Sequence, residues 1–104
     1  MSEAPADPPA GPSAAPTSVR TVTIVNRRGL HARAAARFVK TAERFKADVM
    51  VVRKDSVVSG LSIMGLMMLA AGPGATLELR ASGEEADAAL DALVKLVADK
   101  FDED

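Results

Sequence analysis

The sequence predicts an α+β domain of two layers, with helices over one face of a mostly antiparallel sheet. Three observations lead there. Runs rich in β-branched residues alternate with stretches of helical period. Their order along the chain is β-α-β-β-α-β-α. The connections are short, and one is a hairpin, which favours antiparallel neighbours.

"VRTVTIV" (residues 19–25) alternates and is rich in valine and threonine, so it reads as a strand. Val22 and Ile24 share one face; Val19, Thr21, Thr23 and Val25 share the other. A turn follows at Asn26–Gly29. From Ala32 to about Phe45 the apolar positions Ala35, Phe38, Val39, Ala42 and Phe45 keep helical spacing. "DVMVVRK" and "SVVSG" read as two strands joined by a turn at Lys54–Asp55. "SIMGLMMLA" (62–70) reads as a short helix stopped by "GPG". "ATLELRA" is the fourth strand. "SGEEADAALDALVKLVADKF" (82–101) is the clearest helix, with Ser82 and Glu85 spaced as a capping box.

The totals suit one small soluble domain. The chain has 104 residues, no cysteine, tryptophan or tyrosine, and three phenylalanines. The core must therefore be aliphatic, and disulfides and thiolate metal sites are excluded. Residues 1–18 hold five of the six prolines and almost no large apolar residue. That segment is expected to be a disordered tail, leaving residues 19–104 as the domain. No run approaches the ~18 apolar residues a membrane span needs. No signal peptide is expected, and cytoplasm is the default compartment.

Net charge is -1, but unevenly spread. Residues 20–54 carry ten Lys/Arg against two acids; residues 78–104 carry three against nine. A basic half of this kind can meet an anion or an acidic partner. Nucleic acid is not expected as that partner, because the segment lacks interleaved aromatics.

The only histidine, His31, lies in "GLHARAAARF" directly before the first helix. If Ala32 opens that helix, His31 is its N-cap. The first amides of a helix have no intrahelical acceptor and, with the helix dipole, favour a negative group. A phosphate on the imidazole would sit over them. Arg33 is close enough to add a charge-assisted bond. The same positive field disfavours a charged ring, and only a ring nitrogen with a lone pair is a nucleophile. With one histidine and no cysteine, a metal site is not expected.

"GLHARAAARFVKTAERF" followed by "SIMGLMMLAAGPG" resembles the histidine-containing phosphocarrier (HPr) family of the bacterial phosphotransferase system. The resemblance covers residues 19 to about 101. It implies an open-faced β-sandwich, four antiparallel strands with three helices on one side. It implies a carrier, not an enzyme that turns over a small molecule, and it needs no cofactor. His31 would take a phosphoryl group on Nδ1 from phosphorylated enzyme I and pass it to a histidine of an enzyme IIA protein. Arg33 would neutralise the phosphate. Where the family usually has proline after that arginine, this chain has Ala34. Such variants are similar to the nitrogen-related branch, whose output is regulatory.

In the methionine-rich helix, Leu66 and Leu69 are expected to face the core. Ile63, Met64 and Met67 are then left as an exposed apolar patch suited to protein partners. Ser62 at its start is an ordinary N-cap. In the family, the matching serine can be phosphorylated by HPr kinase/phosphorylase, which makes Ser62 a candidate regulatory site. A carrier that meets successive partners through one face is expected to be a monomer. The competing reading is a small α+β regulatory binding module without phosphotransfer, with His31 merely on its surface.

Overall fold

Three strands pair through complementary valines, leucines and alanine, and their pairing sets the architecture. Val22 lies opposite Leu77, Leu79 opposite Val51, and Ala81 opposite Val49. All six are buried. The computed structural model describes residues 17–103. Its strands are β1 (Ser18–Thr23), β2 (Asp48–Arg53), β3 (Ser56–Ser59) and β4 (Thr76–Ser82). Its helices are α1 (Ala32–Ala42), α2 (Ile63–Met68) and α3 (Ala86–Ala98), followed by one further turn at Lys100–Asp102. The strand order is β1-β4-β2-β3, antiparallel throughout. This is the open-faced sandwich expected.

One face of the sheet meets Phe38 of α1, Leu66 of α2 and Leu90, Leu93 and Val97 of α3 in a single apolar cluster. Each such side chain contributes about 1.5–3 kcal/mol by leaving water. The other face carries Thr21, Thr76 and Arg80, which are exposed. Alternation along the strands thus fixes which side the helices cover.

Several boundaries differ from the sequence reading, each for a physical reason. The tail read for residues 1–18 lies outside the described residues up to residue 16. Ser18, however, belongs to β1: it pairs with Ala81, and its hydroxyl donates to Asp87 at 2.6 Å. α1 stops at Ala42, not Phe45, because Arg44 and Phe45 bond back three residues, to Thr41 and Ala42, and tighten the last turn. Phe45 still packs on the core from the loop.

α2 ends at Met68. Ala70, the last residue of the helix read over 62–70, is exposed with φ 52, so the helix is stopped before "GPG" is reached. The capping box does not form either. Ser82 finishes β4, and the Glu85 carboxylate accepts the Lys46 N–H at 2.6 Å while Glu85 N–H bonds the Lys46 carbonyl. That two-way bond fixes the entry to α3, which starts at Ala86. Phe101 is buried, but it lies beyond α3 rather than on it.

Candidate functional site

Asn26 to Leu30 position the start of α1. Gly29 has φ +68, and a Cβ there would lie 2.6 Å from the Ala71 carbonyl oxygen. Glycine is required on both counts. Next to it, the Leu30 N–H donates to that same carbonyl at 2.8 Å, and Leu30 is buried. The loop before α1 is therefore clamped to the segment after α2.

His31 then takes the N-cap position expected, with extended backbone (φ -79, ψ 179). The first helical bond runs from Ala35 N–H to the His31 carbonyl at 2.8 Å. The N–H groups of Ala32, Arg33 and Ala34 thus have no acceptor within the helix. The His31 side chain does not cap them. The Arg33 side chain is exposed in this first turn and makes no hydrogen bond or ion pair with the described residues. Ala34 is fully buried, which an alanine tolerates without strain at a third helical position.

The imidazole has a partner that the sequence reading missed. Its Nε2 lies 2.8 Å and 2.9 Å from the two carboxylate oxygens of Glu103. Both side chains are mostly shielded, at 17% and 9% exposure. Asn26, fully buried, donates from Nδ2 to the Gly29 carbonyl and to Glu103 Oε2, each at 2.8 Å. The Glu103 carboxyl is held below its ordinary range by the hydrogen bond from His31, then by that from Asn26 and by the nearby Arg28 guanidinium; burial opposes this. Nothing in residue spacing links positions 31 and 103.

α1 packs against α2. Ser62 caps α2, its Oγ accepting the Gly65 N–H at 2.9 Å. Leu66 and Leu69 are buried, as expected. Ile63, Met64 and Met67 are exposed, Met64 at 70%. Met68 and Leu61 extend the apolar surface. No hydrogen bond among the described residues joins Ser62 to His31 or Arg33. No group of three or more His, Asp or Glu among them could hold a metal ion. No helix among them is long and apolar enough to cross a membrane.

The family model for the PTS HPr component phosphorylation site matches residues 18–99. This chain belongs to the HPr family. The HPr of Pseudomonas aeruginosa is 54% identical over 83 residues, covering 79% of this chain and 92% of that protein. The phosphocarrier NPr of Shewanella violacea is 48% identical over 84 residues, covering 81% and 92%. The crystal structure of an HPr from Thermoanaerobacter tengcongensis matches with a TM-score of 0.80 at 40% identity, covering 84% of this chain and 98% of that one. Family membership gives the chain a phosphocarrier role in the phosphotransferase system, and HPr proteins are not catalysts in the usual sense.

Proposed function

We propose that this HPr-family chain carries a phosphoryl group on His31, taking it from phosphorylated enzyme I and giving it to a histidine of an enzyme IIA protein. The observation that carries this reading is the placement of the only histidine at the N-cap of α1, inside the span matched by the family's phosphorylation-site model. The Nδ1 lone pair attacks phosphorus. The bond from phosphorus to the donor group breaks, and its electron pair stays with the donor.

The amides of Ala32, Arg33 and Ala34 and the Arg33 guanidinium receive the phosphate oxygens. Arg33→Ala removes a charge-assisted bond and slows both transfers by roughly 10- to 100-fold. Ile63, Met64 and Met67 supply the docking surface. Phosphorylation of Ser62 by HPr kinase/phosphorylase would set a double charge into that surface and weaken docking. The carrier works as a cytoplasmic monomer.

The test is incubation with phosphoenolpyruvate and enzyme I, followed by mass measurement. A carrier gains one acid-labile, alkali-stable phosphate, and His31→Ala gains none. An unmodified wild-type chain would leave only the regulatory binding module. Adding individual enzyme IIA proteins then shows which one drains the phosphate, and so whether the branch is nitrogen-related or serves sugar uptake.

A further inference from the structure

We infer that Glu103 is a positioning residue for His31: held by Asn26, its carboxylate fixes the ring with the proton on Nε2 and leaves the lone pair on Nδ1. The proposal rests on the carrier reading only for its kinetic consequence.

The geometry carries it from three sides. First, both Glu103 oxygens are within 2.9 Å of Nε2. A carboxylate can only accept, so Nε2 must be the donor. In the neutral ring the other nitrogen, Nδ1, then holds the lone pair.

Second, Asn26 is committed to this contact. Its two partners, the Gly29 carbonyl and Glu103 Oε2, are both acceptors, so its amide nitrogen must face them. Its Oδ1 is consequently buried with no partner among the described residues. A buried unpaired oxygen is rare and costly in a native fold. It is the consequence of turning the amide toward the carboxylate.

Third, the backbone is bent to deliver Glu103. Lys100, Phe101 and Asp102 have φ of 58, 54 and 61. Three successive left-handed residues with side chains are unfavourable for L-amino acids and persist only where the surroundings enforce them. Phe101 is fully buried, and Arg37 Nη1 donates to its carbonyl. These anchors reverse the chain after α3 and carry Glu103 back to the start of α1.

The consequence for transfer follows from charge. When Nδ1 bonds phosphorus and Nε2 keeps its proton, the ring becomes positive. The adjacent carboxylate stabilises that charge in the transition state and preserves the lone-pair geometry before it. Glu103 touches neither phosphorus nor the donor.

Two variants and two readouts test this. Glu103→Gln keeps the shape and removes the charge; Glu103→Ala removes both. Nitrogen-15 NMR of the neutral ring is expected to show one tautomer, Nε2–H, in the wild type and a mixture in Glu103→Ala. With enzyme I and phosphoenolpyruvate, both variants are expected to lose about tenfold in kcat with KM unchanged, because the docking surface is intact. Glu103→Ala with the same tautomer population as the wild type would overturn the proposal. So would kcat values for both variants equal to that of the wild type. If the wild type takes no phosphate, the carrier reading fails, and the tautomer measurement still decides the role of Glu103.

Discussion

The Leu30 N–H and the Ala71 carbonyl, 2.8 Å apart, join the loop that presents His31 to the segment that leaves α2. The clamp makes the position of His31 depend on backbone contacts remote in sequence. It also makes Gly29 sensitive, since a Cβ there would press on the same carbonyl. Gly29→Ala is expected to cost about 2 kcal/mol or more, from the left-handed φ and the clash together. Thermal unfolding should show a fall in Tm of roughly 10 °C.

Phe101 anchors the reversal after α3. Phe101→Ala leaves a cavity in a fully buried site and should cost about 3–5 kcal/mol. Urea unfolding measures this. Because the same residue holds the chain that delivers Glu103, the His31–Glu103 contact is expected to be lost while α3 remains.

Acid should weaken the fold partly through Glu103. Its carboxyl titrates below the usual range in the native state because His31 and Asn26 donate to it. A depressed native value means the contribution is complete above the unfolded value, ~4.3, and is lost as pH falls through the native value. Urea unfolding of wild type and Glu103→Gln should therefore differ at neutral pH, and the difference should shrink as pH falls below about 4.

Ser62 separates stability from docking. Ser62→Ala deletes the bond from Gly65 N–H and should cost about 1 kcal/mol by urea unfolding. Ser62→Asp keeps an acceptor at the cap and should retain stability, since aspartate is an equally good N-cap. It should nevertheless raise KM for enzyme I, because charge enters the surface formed by Ile63, Met64 and Met67.

Local pattern revealed most of the fold and half of the candidate site. Alternation exposed the strands, and helical period exposed α1 and α3, because each element buries one face against a single core. The sequence also placed His31 and Arg33 at a helix start, since Gly29 and the run after Ala32 are local signals. What it could not show was set by long-range contacts. The Ser82–Glu85 spacing predicts a local cap, but the Glu85 carboxylate accepts the Lys46 N–H instead. Phe101 fitted the helical period, yet it is buried from a left-handed turn. Glu103 meets His31 across 72 positions, through a backbone reversal that no residue type announces.

The most direct test of the account is to label the imidazole nitrogens of His31 and charge the chain with enzyme I and phosphoenolpyruvate. NMR should then find the phosphoryl group bonded to Nδ1, with a proton retained on Nε2. A phosphate on Nε2, or none on the ring at all, would contradict it.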